Sequence, residues 1–342
     1  MKKILLIIVL LIPIKVLASS YIVMDNNTGR VLLGKDINKQ SLIASTTKIM
    51  TSIVALENGN LDDLYKVSNE ILKVDGSMIY LSLNEHMSLK DLLYGLLLRS
   101  GNDASITIST NVFHDRKKFI EEMNNLASKI GMHNTKFINE SGLEEKDGNG
   151  NMSTPYDMAL LMRYALLNNT FKEIIHTKNY VTKTDMKSYT WQNKNKLLSS
   201  YKYEVGGKTG YTKKAGRTLV TSSYKDGKSI TIVTFRDSDD FNTHKKLSNY
   251  VFNNYDNEVV LAHNNIIING NLSNYYLKED TYMLLNNKDK KNIRVEYIIN
   301  DLEKKAKVYL YNKEVISKDI YMDNNKRNIS FLESLWKALK HD

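Results

Sequence analysis

A serine and a lysine stand three residues apart in the segment Ser45-Thr-Thr-Lys48. At the beginning of a predicted helix, this spacing places the lysine one turn after the serine and on the same face, where its amine can reach the hydroxyl. A serine hydroxyl is a weak nucleophile until a base takes its proton, and a lysine that burial keeps neutral can be that base. The motif alone is weak, because it occurs three more times in the chain and a serine at this place is also an ordinary helix cap.

Two further polar motifs follow, Ser100-Gly-Asn102 and Lys208-Thr-Gly210. The first lies between a leucine-rich predicted helix and the next one, and alone it would be a plain helix connection. The second lies in a glycine-rich stretch predicted as a strand, which alone would be an edge strand. A phosphate-binding loop fits poorly, because only two glycines precede the lysine and a strand follows it. In this order and on these elements, the three motifs are similar to the signature of serine penicillin-recognising enzymes.

The elements that must position these motifs predict an α+β domain. In chain order they are a hairpin over 20–35, helices that begin near Ser45, Ser88, Phe119 and Thr154, a three-strand meander over 203–236 and a closing helix over 241–255. Strands at both ends of the segment with helices between them favour a helical cluster on one antiparallel sheet. We therefore expect a first domain over 19–255.

The remainder of the chain has a different pattern of apolar and polar residues. Short strand-like runs separated by Asn, Lys and Asp turns predict a small all-β domain over 256–328. The last residues, 329–342, would carry Phe, Leu and Trp side chains on one helical face. This segment is expected to be an amphipathic C-terminal membrane anchor, with docking on the β domain as the alternative.

The beginning of the chain is typical of a secretory signal. Two lysines precede eleven apolar residues, Ile4–Ile14, and the small residue Ala18 follows. An apolar run of this length is too short to cross a hydrocarbon core, which needs about 20 residues. Residues 1–18 are therefore predicted to be a cleaved signal peptide, with an uncleaved anchor as the alternative. We expect an exported protein at the extracytoplasmic face of the cell membrane, in the cell wall or in the periplasm.

The composition of the chain argues against several kinds of catalytic and metal-binding site. The 342 residues include no cysteine, which excludes a disulfide scaffold, a thiolate zinc site and a catalytic thiol. Because the seven histidines are scattered without metal-binding spacing, we expect neither a metal nor another cofactor. The net charge of +10 falls to +7 without the three lysines of residues 1–18, and the charge is not concentrated in one run. With predicted export, this distribution argues against a nucleic-acid partner.

Most of residues 20–255 resembles the D-alanyl-D-alanine carboxypeptidases among the low-molecular-mass penicillin-binding proteins. The blocks that carry the resemblance are Ile43–Thr51, Leu97–Ala104, Ser141–Leu143 with Ser153–Ala159, and Gly207–Gly216. The resemblance implies a β-lactamase/DD-peptidase-like fold. It also implies a serine-type carboxypeptidase that removes the terminal D-alanine from peptidoglycan stem peptides ending in D-Ala-D-Ala, acts in cell-wall remodelling and is inhibited covalently by β-lactams. The small β domain and the amphipathic terminal segment match the layout of this family more loosely.

For individual residues, the resemblance implies a complete acyl-transfer site. Ser45 would attack the carbonyl of the penultimate D-alanine and become acylated. Lys48 would be the general base, kept neutral by burial and by the positive charge of Lys208. Ser100 would relay the proton toward the departing D-alanine. Asn102 would hold the acyl chain and orient Lys48.

The resemblance also implies how the substrate is held. Lys208 and Thr209 would bind its terminal carboxylate. The backbone N–H groups of Ser45 and Tyr211 would form the oxyanion hole. Gly210 has no Cβ, so the substrate could lie along this strand as an added β-strand.

One departure from the family concerns the carboxylate. Many relatives have an arginine near the last helix that helps to bind it, whereas here the stretch Phe235–His244 is acidic. Arg236, at the end of the preceding strand, is the expected substitute.

Three other functions share part of this pattern. A class A-like β-lactamase would need a glutamate to activate the deacylating water. Glu140, Glu144 and Glu145 lie between the second and third motifs, but outside the sequence context expected of that residue. A DD-endopeptidase or transpeptidase would share the first half-reaction. The alternative of another class is a non-catalytic wall-binding or β-lactam-sensing module, against which the complete set of nucleophile, base and oxyanion groups argues.

Overall fold

The computed structural model describes residues 18–268 and 271–323. The chain divides into two compact units. Of the described residues, the first unit contains 18–23, 33–223 and 231–250, and the second contains 24–32, 224–230, 251–268 and 271–323.

Several predictions about the ends of the chain stay predictions. Of the predicted signal peptide, 1–18, only Ala18 is among the described residues, and the terminal segment 329–342 lies outside them. The domain boundary predicted at residue 255 also stays a prediction. Within the part of the chain that the structure describes, no helix combines the length and the apolar character needed to cross a membrane.

The helices and strands alternate irregularly along the chain. The helices are α1 (Lys48–Asn58), α2 (Leu89–Arg99), α3 (Asn102–Val112), α4 (Arg116–Lys129), α5 (Pro155–Ala165), α6 (Asn169–His176), α7 (Leu197–Ser200), α8 (Asp240–Asn254) and α9 (Asn287–Lys290). The strands up to α8 are β1 (Ser20–Asp25), β2 (Val31–Lys35), β3 (Ser41–Leu42), β4 (Leu64–Lys66), β5 (His86–Ser88), β6 (Met152–Ser153), β7 (Asn179–Lys183), β8 (Ser188–Gln192), β9 (Glu204–Thr212), β10 (Gly216–Lys225) and β11 (Lys228–Phe235). Those after it are β12 (Asp256–Leu261), β13 (Asn265–Ile268), β14 (Asn271–Tyr276), β15 (Thr281–Leu285), β16 (Ile293–Ile299), β17 (Lys304–Leu310), β18 (Lys313–Asp319) and β19 (Tyr321–Met322).

The largest sheet has five strands in the order β2-β1-β11-β10-β9. The predicted meander over 203–236 forms the three consecutive strands β9, β10 and β11, and the predicted hairpin over 20–35 forms β1 and β2. The sheet is thus assembled from both ends of the segment, as predicted. β9 and β10 run antiparallel, with Gly210 opposite Thr218 and Tyr211 opposite Arg217. This sheet and the helices between its strands confirm the α+β class.

The helix that follows the first motif is buried on all sides. Residues 44–47 form a 3₁₀ turn that runs directly into α1, and the first eight residues of α1 are all buried. A helix buried all round lies inside the core rather than on its surface. Its polar residues must therefore find partners within the protein. Thr51, for example, donates a hydrogen bond to the Glu140 carbonyl oxygen at 2.7 Å.

The helices around α1 begin at the signals seen in the sequence. The Ser88 hydroxyl caps α2 by accepting a hydrogen bond from the Asp91 N–H at 3.1 Å. Thr154 caps α5 by accepting one from the Asp157 N–H at 3.0 Å, and Pro155 is in the first turn. Each cap is worth about 1 kcal/mol. Both predicted helix starts are confirmed.

The second unit carries the strands β12–β19 in three small sheets. These are β12-β15, β13-β14-β19 and β16-β17-β18. Their buried core contains Leu261, Ile266, Leu277, Ala306, Val308 and Ile320. The predicted all-β character is confirmed, although one helical turn, α9, interrupts the strands. It forms because Asn286 and Asp289 cap each other's backbone N–H groups in a capping box.

Candidate active site

Residues from all three motifs line one cavity of about 770 Å³ in the first unit. They are Ser45 from the first motif, Ser100 from the second, and Thr209, Gly210 and Tyr211 from β9. The three motifs, which are far apart in the sequence, therefore lie together in the fold.

Lys48 is fully buried, and its Nζ lies beside three oxygens. It is 3.2 Å from Oγ of Ser45, 2.7 Å from Oδ1 of Asn102 and 2.6 Å from the carbonyl oxygen of Ser141. The amide and carbonyl oxygens can only accept hydrogen bonds. A neutral amine has two N–H groups for these two acceptors and one lone pair, which is left for the Ser45 hydroxyl. The contacts therefore fit a lysine that takes the proton of the serine.

Burial also lowers the pKa of Lys48, to about 7. The negative charges of Glu140 and Asp103 oppose this shift, and the positive charge of Lys194 adds to it. A neighbouring cation that lowers this pKa is thus Lys194, and the predicted contribution of Lys208 stays a prediction. Both protonation states of Lys48 are populated at neutral pH, as a general base requires.

The pKa of Lys208 also lies well below its ordinary value. Burial is the main cause, and the charges of Lys48 and Lys194 add to it. The side chain of Lys208 is 1% exposed. Its Nζ donates a hydrogen bond to the Thr209 carbonyl oxygen at 2.8 Å.

The second motif occupies the tight connection between α2 and α3. Ser100 follows the last residue of α2 with a positive φ of 66°, and it is 4% exposed. A left-handed conformation at a non-glycine residue costs about 1–3 kcal/mol and commonly marks a functional position. Asn102 begins α3, and its Nδ2 donates to the Asp75 carbonyl oxygen. This bond orients the amide so that its oxygen faces the amine of Lys48.

Two glycines allow the backbone to come close to the first motif. A Cβ on Gly142, whose φ is +84°, would lie 1.9 Å from the Ala44 carbonyl oxygen. A Cβ on Gly210 would lie 2.4 Å from Oγ1 of Thr218 and 3.1 Å from the backbone nitrogen of Ser45. Strand β9 can therefore lie against the backbone of Ser45 only because residue 210 has no side chain.

Comparison with known proteins agrees with this geometry. The family model described as D-alanyl-D-alanine carboxypeptidase matches residues 11–239. The chain belongs to this family. It is 33% identical over 224 residues to the D-alanyl-D-alanine carboxypeptidase DacF of Bacillus subtilis, a match that covers 64% of this chain and 57% of the relative. The chain thus spans little more than half the length of that family member.

Solved structures of other proteins show the same fold. A mutant of the Streptomyces K15 DD-transpeptidase is 31% identical, with a TM-score of 0.66 over 70% of this chain and 99% of the other. Penicillin-binding protein 5 of Haemophilus influenzae, at 23% identity, superposes with a TM-score of 0.77 over 92% of this chain and 98% of the other. The predicted β-lactamase/DD-peptidase-like fold, followed by a small all-β region, is confirmed.

Arg236, expected to help bind the carboxylate, does not line the cavity that contains Ser45. Its guanidinium donates a hydrogen bond to the Lys214 carbonyl oxygen, and its side chain lines a separate cavity with Ser19 and Gln40. The arginine that does line the Ser45 cavity is Arg217. The expectation for Arg236 is therefore wrong, because the end of β11 carries its side chain away from the site.

Two positively charged residues of this site were not identified from the sequence. Arg217 lies directly opposite Tyr211, a position that follows from counting back across the β9–β10 turn. Lys194 lies between β8 and α7, and its Nζ donates to the Ser77 hydroxyl at 2.9 Å. The sequence gives no indication that a residue in this loop lies at the site.

The described residues hold neither a β-lactamase-like glutamate in the cavity nor a cluster of metal ligands. Glu140 is buried and pairs with Arg116 at 3.0 Å, and Glu144 accepts a hydrogen bond from the Thr212 hydroxyl. Among the described residues, no glutamate lines the cavity. No group of three or more histidine, aspartate or glutamate side chains in the same part of the chain is arranged to hold a metal ion.

Proposed function

We propose that the protein is a serine-type D-Ala-D-Ala carboxypeptidase that removes the terminal D-alanine from peptidoglycan stem peptides. The observation that carries this proposal is the set of contacts of Lys48. Two acceptors occupy its N–H groups, and its third neighbour is the Ser45 hydroxyl. Membership of the carboxypeptidase family supports the same reaction.

Acylation follows from this arrangement. Lys48 takes the proton of Ser45 while Oγ attacks the carbonyl carbon of the penultimate D-alanine. The backbone N–H groups of Ser45 and Tyr211 stabilise the resulting oxyanion, and one such donor is worth about 10²–10³ in rate. Ser100 passes the proton to the amide nitrogen as the C–N bond breaks. D-alanine then leaves with that proton, and an ester on Ser45 remains.

Deacylation returns the enzyme to its starting state. Water attacks the ester carbonyl while Lys48 takes a proton from this water. Lys48 then returns that proton to the Ser45 oxygen as the ester C–O bond breaks, and the shortened peptide leaves as an acid. A β-lactam enters the same first step, but its opened ring stays attached to the carbonyl. The leaving amine therefore cannot depart, and we expect a long-lived adduct that blocks the site.

Lys208 and Thr209 are proposed to bind the terminal carboxylate of the substrate. An arriving carboxylate would favour the protonated form of Lys208, whose pKa is lowered by burial in the free protein. Binding of the anion and uptake of a proton by this lysine would then be coupled.

Release of free D-alanine tests the proposed reaction. The full chain is incubated with Nα,Nε-diacetyl-L-Lys-D-Ala-D-Ala, and a matched peptide ending in D-Ala-L-Ala serves as the control. We expect D-alanine from the first peptide, no alanine from the second, and no release by Ser45→Ala. Cleavage of cross-linked muropeptides without release of D-alanine would instead indicate an endopeptidase, and rapid turnover of penicillin would indicate a β-lactamase.

We further propose export through residues 1–18 and peripheral membrane contact through residues 329–342. The apolar side chains of the second segment recur at helical spacing and include Trp336, with lysines beside them. Deleting residues 331–342 is expected to move the protein from the membrane fraction to the soluble fraction. Membrane retention of the truncated protein would leave docking on the β domain as the role of this segment.

A further inference from the structure

Arg217 is the one arginine among the described residues that line the cavity containing Ser45. It lies on β10 directly opposite Tyr211 of β9. Side chains that are directly opposite on antiparallel strands share one face of the sheet, and alternate residues along a strand share it too. Arg217, Tyr211 and Thr209 therefore lie on the same face, and all three line the cavity.

A buried carboxylate holds this guanidinium in place. Nη2 of Arg217 lies 2.6 Å from Oδ1 of Asp240, and Nε lies 3.1 Å from Oδ2. The Asp240 side chain is only 3% exposed, whereas that of Arg217 is 39% exposed. The Phe241 ring centroid is 5.5 Å from the guanidinium carbon. A two-point ion pair against an aromatic ring restricts the orientation of the guanidinium.

This arrangement leaves one nitrogen of Arg217 for a ligand. Asp240 occupies Nε and Nη2, and Nη1 has no hydrogen-bond partner among the described residues. A guanidinium is charged at every relevant pH, and its planar N–H groups suit a carboxylate. For Lys208, by contrast, burial lowers the pKa and disfavours the charged form. Arg217 therefore keeps its positive charge at every relevant pH, and its ion-pair partner Asp240 lines the same cavity.

We propose that Arg217 binds the α-carboxylate of the terminal D-alanine together with the Thr209 hydroxyl, and thereby selects peptides with a free C-terminal carboxylate. Asp240 is a positioning residue, since it holds the guanidinium without contacting the substrate. This inference rests on the proposed carboxypeptidase function and adds the specificity-determining group.

The test compares two peptides that differ only in the carboxylate. Release of the C-terminal residue is measured for diacetyl-L-Lys-D-Ala-D-Ala and for its C-terminal carboxamide. For Arg217→Gln, we expect KM for the acid to rise about 10- to 100-fold with a smaller change in kcat, because a charge-assisted hydrogen bond is lost. The kinetics on the carboxamide should stay unchanged. Lys213→Gln, which removes one positive charge from the exposed β9–β10 turn, is the matched control and should retain the preference for the acid.

Asp240→Asn provides the second variant. It keeps the shape of the partner but weakens its hold on the guanidinium, so a partial loss of the preference for the acid is expected. An equal loss of activity on both peptides in Arg217→Gln would show a merely structural role and overturn the proposal. An unchanged preference for the acid would overturn it as well.

A parallel arm separates failure of this inference from failure of the proposed function. The acylation rates with benzylpenicillin and with its methyl ester report on carboxylate binding even if the wild-type protein releases no D-alanine. Arg217→Gln should slow acylation by the free acid and leave acylation by the ester unchanged. Equal slowing with both compounds, or with neither, would reject the role of Arg217.

Discussion

Acylation of Ser45 should depend on pH through Lys48. The pKa of this lysine is about 7, and only its neutral form can take the serine proton. The neutral fraction is about one half at pH 7, about one tenth at pH 6 and about one hundredth at pH 5. The acylation rate should therefore fall about tenfold for each pH unit below 6 and reach a plateau above pH 8.

Lys194→Gln should shift the acidic limb of this pH profile, the range in which the rate falls, in a defined direction. The positive charge of Lys194 lowers the pKa of Lys48, so its removal raises that pKa and moves the acidic limb to higher pH. The variant should therefore be slower than wild type at pH 6 and approach its rate on the plateau. Lys196→Gln is the matched control, because Lys196 lines the same cavity without shifting the pKa of Lys48.

The assay is the second-order rate constant for labelling by a fluorescent penicillin between pH 5 and 9, with a thermal melt at each pH to verify folding. Three results would refute the reasoning. The rate constant could be the same at every pH in this range. The acidic limb of the pH profile could lie near the pKa of an ordinary carboxyl group. The acidic limb of Lys194→Gln could lie at lower pH than that of the wild type.

Two further predictions concern β9. Gly210→Ala should lower acylation at least about hundredfold with the fold retained, because the added Cβ would push the strand away from the Ser45 backbone nitrogen; wild-type labelling kinetics would contradict this. Glu204 is 6% exposed, and burial raises its pKa to about 8. Between pH 4.5 and 8 the folded state holds a proton that the unfolded state has released, so stability falls with rising pH by up to about 1.4 kcal/mol per unit. Glu204→Gln should remove this slope in urea unfolding, and an unchanged slope would show that Glu204 is ionised in the folded protein.

The central parts of the site could be predicted because they combine local spacing with local structure. The Ser-x-x-Lys spacing puts both side chains on one helical turn wherever the helix lies, and capping residues mark where α2 and α5 begin. The glycines of the stretch Gly206–Gly210 indicated a strand open to close approach, and the structure places that strand against Ser45. Such features depend on a few neighbouring residues only.

The charged residues around the site depend on distant parts of the chain. Arg236 lies within the acidic stretch near the last helix, yet its side chain lines another cavity because of its place at the end of β11. Arg217 lies at the site because the register of β10 with β9 places it opposite Tyr211. Burial of a lysine is another property that the local sequence does not show. It lowers the pKa of both Lys48 and Lys208, and it depends on the elements that pack around them.

The strand-like runs predicted in the second unit leave out two strands, the two-residue β19 and the longer β14. Its residues, Asn-Leu-Ser-Asn-Tyr-Tyr, include the Asn and Ser types that favour turns. The pairing of β14 with β13 and β19 overrides that local preference.

The most direct test of the central claim is to locate the covalent adduct. The full-length protein is incubated with benzylpenicillin, digested and analysed by peptide mass spectrometry. Our reading of the site requires the mass of one opened penicillin on the peptide that contains Ser45, and none in Ser45→Ala. An adduct on another serine, or no adduct on a folded protein, would contradict it.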